Sequence, residues 1–151
     1  MTTAITSRRI LVVEDQKLIR ELSIRALTNA GYLVDAAENG QSGWEALQAR
    51  RYDLVITDNR MPELSGHDLI LKLRSARMRL PVILASGHIL PEHLAMGSAL
   101  QPVTALPNPF TPDQLLAVVV KVLRLARHDL NDIWSCLNAA GESCLHWGLN
   151  E

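Results

Sequence analysis

Short apolar runs alternate with segments of helical period along most of the chain. The runs cover residues 10–13, 32–36, 54–57, 81–85 and 103–106. The first and third contain consecutive apolar residues without polar alternation, which is typical of strands buried on both faces of a parallel sheet. Between the runs, apolar residues recur three and four positions apart, as in amphipathic helices. The pattern predicts an α/β fold in which strands and helices alternate to form a doubly wound, five-stranded parallel sheet.

A further stripe of apolar residues at helical spacing follows the fifth run. It consists of Leu115, Val119, Val122, Ala126, Leu130, Ile133 and Leu137. The stripe predicts either one helix over residues 111–139 or two helices broken near Asp129, the second folded back on the body. We therefore predict a domain over residues 8–126 and a C-terminal helical extension over 127–151. The apolar face of the extension is buried against its own domain, against a partner protein or in a homodimer.

Composition narrows the classes of protein to which the chain can belong. Its 151 residues suit one domain with an ordinary hydrophobic core. Fifteen basic and sixteen acidic residues leave a net charge of −1, which gives no general attraction to nucleic acid or to a membrane surface. The sequence contains no apolar segment of spanning length, and its two cysteines are too few for a disulfide framework. We expect a cytoplasmic protein without nucleic-acid or membrane partners.

Acidic and hydroxyl side chains follow three of the predicted strands. Glu14 and Asp15 come after the first strand, Asp58 after the third, and Ser86-Gly87 after the fourth. In the strand order 2-1-3-4-5, these three strands are neighbours, and ligands of such sheets bind at the carboxyl ends of the strands. The sequence therefore predicts that three carboxylates and one hydroxyl converge, although each acidic residue taken alone could equally belong to a solvated turn.

Three adjacent carboxylates repel one another unless a cation offsets their charge. Mg²⁺ suits this arrangement, because it binds one or two carboxylates together with water and phosphate oxygens. One carboxylate can then act as a nucleophile and accept a phosphoryl group as an aspartyl phosphate. The predicted chemistry is phosphoryl transfer to Asp58.

Three segments resemble the receiver domain family of two-component response regulators, which has the CheY-like, flavodoxin-like fold. They are ILVVED at 10–15, DLVITDNRMPELSG at 53–66 and VILASG at 82–87, and the resemblance extends over about residues 8–126. It implies that a histidine kinase or phosphotransfer protein phosphorylates Asp58. It also implies that Glu14, Asp15, Asp58 and the backbone carbonyl of Arg60 bind Mg²⁺.

The resemblance further implies that Ser86, followed by Gly87, binds the phosphoryl oxygen and transmits the signal. Two positions depart from the family pattern. Asn108 stands where the family has a lysine, and Ala105 stands where many members have a switching Tyr or Phe. Asn108 can donate only a neutral hydrogen bond, which is weaker than a charge-assisted one. The Asn108-Pro109 bond is cis if it follows the family and trans if it follows most X-Pro bonds.

From these observations we predict that the chain is a phosphoacceptor signalling module and is not an enzyme in its own right. The alternative is a pseudo-receiver, which keeps the acidic pocket but acts only by binding other proteins. An aspartate-nucleophile phosphatase would need a second aspartate where Arg60 stands and a cap domain for which the chain has no room. Only 25 residues follow Ala126, so we expect a stand-alone receiver.

Overall fold

The computed structural model describes residues 7–87 and 102–140, with side chains described as far as residue 126. These ranges contain β1 (Arg9–Val13), α1 (Lys17–Asn29), β2 (Leu33–Ala37), α2 (Gly40–Ala49), β3 (Leu54–Asp58), α3 (Gly66–Ser75), β4 (Val82–Ser86), β5 (Val103–Pro107) and α4 (Pro112–Ala140). All strand pairs are parallel, and the sheet order is β2-β1-β3-β4-β5. The predicted fold and strand order are confirmed. The helix expected between the fourth and fifth strands falls in residues 88–101, outside the described residues.

Helices cover both faces of the sheet, because each central strand directs apolar side chains to both sides. One core layer lies between the sheet and helices α1 and α4, and the other lies between the sheet and helices α2 and α3. The first contains Ile10, Val12, Leu27, Leu54, Ile56, Ile83, Leu106, Leu115, Val119, Val122 and Leu123. The second contains Leu11, Val13, Ala37, Leu47, Val55, Leu69, Ile70, Leu73, Val82 and Leu84. Alternate residues of β1, β3 and β4 supply both layers, as strands buried on two faces do.

The last helix, α4, is unbroken over its 29 residues, so of the two predicted alternatives the single helix is observed and the break near Asp129 is not. No glycine or proline follows Pro112 within the helix, and nothing in its local sequence favours a break. At 1.5 Å per residue it is about 43 Å long. Its first part packs on the core through Leu115 and Val119, which are fully buried. Within the described ranges, no helix is both long and apolar enough to span a bilayer.

Helix α3 begins with a capping box immediately after the loop that follows β3. The Ser65 hydroxyl accepts a hydrogen bond from the Asp68 backbone N–H at 3.1 Å, and the Asp68 carboxylate accepts one from the Ser65 N–H at 3.4 Å. These bonds satisfy two backbone donors that the start of a helix would otherwise leave unpaired.

We expect Ser65→Ala to lower the free energy of unfolding by about 1 kcal/mol, because it removes the side-chain cap. Urea denaturation monitored by circular dichroism measures this change. Ser75→Ala is the control, because Ser75 is exposed at the other end of α3 and should change stability by less than about 0.5 kcal/mol. Equal effects of the two substitutions would show that the cap contributes nothing.

Candidate functional site

The carboxyl ends of β1 and β3 bring three carboxylates together. Val13 pairs with Thr57 in the sheet, so the residues that follow them, Glu14 and Asp58, lie at the same level on neighbouring strands. Carboxylate oxygens of Glu14, Asp15 and Asp58 all lie within 4.8 Å of one another. The convergence of the three carboxylates expected from the sequence is therefore present in the fold.

Glu14 is the most deeply placed of the three carboxylates, with 5% of its surface exposed. Burial raises the pKa of Glu14 to about 8, helped by a side-chain hydrogen bond with Asp15 and by the nearby charge of Asp58. The Gln16 backbone N–H donates to Oε2 at 3.3 Å and partly opposes this shift. A divalent cation fits this cluster, because its charge would offset both the burial and the mutual repulsion that favour the protonated form of Glu14.

Asp58 ends β3 and remains partly accessible to solvent. Burial raises the pKa of its carboxyl group, while hydrogen bonds from the backbone N–H groups of Arg60 and Asn59 lower it. The side chain of Arg60 is exposed. Asp58 thus combines access from solvent with backbone donors directed at its carboxylate, which suits a group that accepts an incoming anion.

Ser86 and Asn108 lie at the ends of the next two strands. Asp58 pairs with Ala85 across β3 and β4, so Ser86 is one position beyond Asp58 on the neighbouring strand. The Asn108 backbone N–H donates to the Ser86 carbonyl oxygen at 3.0 Å. The Asn108-Pro109 bond is cis. The strand ends that carry the acidic, hydroxyl and amide side chains therefore form one continuous edge.

Ala105 pairs with Leu84 in the middle of the β4–β5 ladder. Its neighbour Leu106 is buried beneath α4, and because side chains alternate along a strand, Ala105 faces the opposite side. A methyl group at this position cannot take over the switching role that the sequence resemblance assigns to an aromatic ring. His88, the basic residue that follows Gly87, lies outside the described residues.

Gly66 contributes to the site through close packing. A methyl group on Gly66 would overlap the Asp58 carbonyl oxygen and crowd Leu84 and the Cα of Asn59. The absence of a Cβ therefore lets the start of α3 approach the backbone of Asp58.

Two polar residues of the site were missed by the sequence analysis. The Arg20 guanidinium donates to the backbone carbonyl of Glu14 at 2.9 Å and lies 3.5 Å from that of Asp15. The Asn59 side-chain oxygen accepts from the His67 backbone N–H at 3.1 Å and so connects the loop after Asp58 to α3. The sequence did carry a signal for Arg20, because it is a basic residue in the first turns of the helix that follows the acidic pair Glu14-Asp15.

An apolar cavity of about 110 Å³ lies beside this edge, between α1 and the loop after β5. Its lining consists of Ile19, Leu22, Ser23, Asn108, Pro109, Phe110, Pro112 and Leu115. Leu22, one of the lining residues, is 48% exposed, and Leu18 of the same helix is 70% exposed. The apolar spacing in α1 therefore does not mark its buried face, since Ser23 and Leu27 are the buried residues of this helix.

Residues 10–120 match the family model of the response regulator receiver domain. The chain is 37% identical over 116 residues to the transcriptional regulatory protein CusR of Escherichia coli (strain K12). It is 40% identical over 116 residues to the probable transcriptional regulatory protein SilR of Salmonella typhimurium. Each match covers 77% of this chain and 51% of the relative, so the chain spans about half the length of these curated relatives.

Solved receiver structures have the same fold. The chemotaxis response regulator CheY4 of Vibrio cholerae is 29% identical with a TM-score of 0.71, and the match covers 78% of this chain and 99% of that one. The response regulator TrrA of Thermotoga maritima, solved in complex with Mg²⁺-BeF, is 32% identical with a TM-score of 0.67 over 76% of this chain and 98% of that one. The family match spans well over half of the chain and agrees with the observed strand order, and the chain therefore belongs to the receiver domain family of two-component response regulators.

Proposed function

We propose that this receiver accepts a phosphoryl group on Asp58 from a histidine kinase or a phosphotransfer protein. The observation that carries the proposal is the cluster of three carboxylates at the ends of β1 and β3. An oxygen of the Asp58 carboxylate attacks the phosphorus atom, and the bond from phosphorus to the donor nitrogen breaks as the aspartyl phosphate forms. The donor keeps the electron pair of that bond and takes up a proton.

Mg²⁺ is the proposed cofactor, bound by Glu14, Asp15, Asp58 and the backbone carbonyl of Arg60. When bound, it supplies positive charge that neutralises the incoming phosphoryl oxygens. The raised pKa of Glu14 supports a cation at this position, because the site without one retains a proton near neutral pH. The related TrrA was solved with Mg²⁺-BeF, which also supports the proposal. Ser86 is the proposed donor to a phosphoryl oxygen, next to Gly87.

The exposed leucines of α1 support a docking surface for the phosphoryl donor. Leu22 and Asn108 contribute to the lining of the apolar cavity, and Leu18 is exposed on the same helix as Leu22. Because the cavity adjoins the edge that carries the acidic residues, a helix packed on α1 would bring its phosphorylated side chain close to Asp58. Apolar burial would contribute binding free energy, and the acidic edge would orient the reacting groups.

We also propose that the chain divides into a receiver domain over residues 8–126 and a C-terminal extension over residues 127–151. Helix α4 crosses this boundary without a break. Its length supports an extension that projects beyond the five-stranded domain and associates with a second copy of the chain. Light scattering after size-exclusion chromatography tests the homodimer, and a strict monomer would contradict it.

A pseudo-receiver is the second candidate, and the observation that favours it is Asn108. This residue places no positive charge at the end of β5, where phosphoryl transfer would benefit from one. In this alternative, the carboxylate cluster remains but the chain signals only through its protein contacts.

Intact-mass measurement after incubation with phosphoramidate and Mg²⁺ distinguishes the two candidates. We expect the wild-type chain to gain one phosphoryl mass, and Asp58→Asn to gain none, because an amide is not nucleophilic enough to replace the carboxylate. Asp113→Asn is the control, because Asp113 is an exposed aspartate in the first turn of α4. Equal labelling of Asp58→Asn would contradict Asp58 as the acceptor, whereas an unlabelled wild type would favour the pseudo-receiver.

A further inference from the structure

Arg20 is a basic residue whose hydrogen bonds go to the turn between β1 and α1. Its Nη1 lies 2.9 Å from the carbonyl oxygen of Glu14 and 3.5 Å from that of Asp15. Arg20 belongs to α1, where its own backbone N–H donates to the Gln16 carbonyl at 3.0 Å. The side chain therefore connects the helix to the two residues that immediately follow β1.

The neighbouring basic side chains in the described part of this edge are placed differently. Lys17 is 78% exposed and lies 4.0 Å from the Glu21 carboxylate, on the same helix. The side chain of Arg60 is exposed. Arg20 is partly buried and bonded to backbone, so it loses little further side-chain freedom when a ligand binds.

We propose that Arg20 is a positioning residue, which holds the turn carrying Glu14 and Asp15 in the arrangement that binds Mg²⁺. This inference rests on the proposed function, because it deepens the role of the same site. By bonding the carbonyl oxygens, the guanidinium holds the backbone of the turn without occupying either carboxylate. Its charge also lies on the acidic edge of a chain in which Asn108 supplies none. Supporting residues of this kind orient metal ligands without touching the metal.

Calorimetric titration of the full chain with MgCl₂ tests the proposal. We expect Arg20→Gln to weaken Mg²⁺ binding by about tenfold, as loss of a residue that orients metal ligands commonly does. Arg20→Lys should recover part of the affinity, because it keeps a positively charged nitrogen donor but on a side chain one bond shorter. Arg25→Gln is the control, because Arg25 is exposed on the same helix, and its affinity should stay within about twofold of wild type.

Amide resonances of Glu14 and Asp15 in the metal-free protein provide a reading that does not depend on Mg²⁺. We expect Arg20→Gln to shift them and Arg25→Gln to leave them in place. Unchanged resonances, or unchanged Mg²⁺ affinity in folded Arg20→Gln, would overturn the role of Arg20. Failure of the proposed function would appear differently, as a wild-type chain that is not phosphorylated although the resonances of the turn still respond to Arg20→Gln.

Discussion

Metal-free protein is expected to lose stability as the pH is raised from about 5 to about 8, and Glu14→Gln is expected to remove most of this loss. The pKa of Glu14 is raised from 4.5 to about 8 in the folded chain, first of all by burial. Between these two values the folded state holds a proton that the unfolded state has released. Raising the pH therefore favours unfolding. Protonated Glu14 contributes its full stabilisation only below about pH 4.5, the pKa of this group in the unfolded chain.

The expected loss is on the order of 3 kcal/mol, since each unit of pKa shift corresponds to about 1.4 kcal/mol and the carboxylates of the cluster share their protons. The raised pKa of Asp58 acts in the same direction. The amide side chain introduced by Glu14→Gln cannot ionise, so we expect the variant to match wild type near pH 5 and to be the more stable of the two near pH 8.

Urea denaturation in the presence of EDTA, repeated across this pH range, measures the difference. Glu38→Gln is the matched control, because Glu38 is exposed and its substitution should leave the wild-type pH dependence unchanged. Saturating Mg²⁺ should restore the stability of wild type at pH 8 more than that of Glu14→Gln. The prediction fails if Glu14→Gln and wild type lose stability in parallel.

Asn108→Lys is expected to accelerate phosphorylation of Asp58 by between about twofold and 30-fold. A charge-assisted hydrogen bond is worth about 1.5 to 3 kcal/mol against about 1 for a neutral one, and each 1.4 kcal/mol corresponds to tenfold in rate. Asn108 follows β5, and its backbone is bonded to Ser86, so we expect an ammonium group introduced here to reach a phosphoryl group transferred to Asp58.

Initial rates of labelling with phosphoramidate, measured by intact mass, provide the comparison. Asn108→Gln is the control, because it lengthens the side chain without adding charge and should label at nearly the wild-type rate. If Asn108→Lys labels no faster than Asn108→Gln, the missing charge does not limit phosphoryl transfer. Labelling that appears only in Asn108→Lys would identify the natural chain as a pseudo-receiver.

The sequence by itself determined the strands and the position of the acidic edge. Apolar runs such as 10–13 and 54–57 are long enough and continuous enough to require burial on both faces, so the parallel sheet follows from local pattern. Each observed strand lies within one residue of its predicted limits. Glu14 and Asp58 follow strands that become neighbours, and their convergence could be predicted from strand order alone.

The tertiary structure alone decided how deeply each group is buried and what it contacts. The spacing of apolar residues could not show that Leu22 faces solvent while Ser23 is buried, because burial depends on which elements pack against α1. The pKa of Glu14 depends on the same packing, since desolvation is its largest cause. The contact of Arg20 with the turn and the space that Gly66 leaves for Asp58 arise between side chain and backbone groups of separate segments. Local sequence does not encode such distances, because they are set by how the helices pack against the sheet.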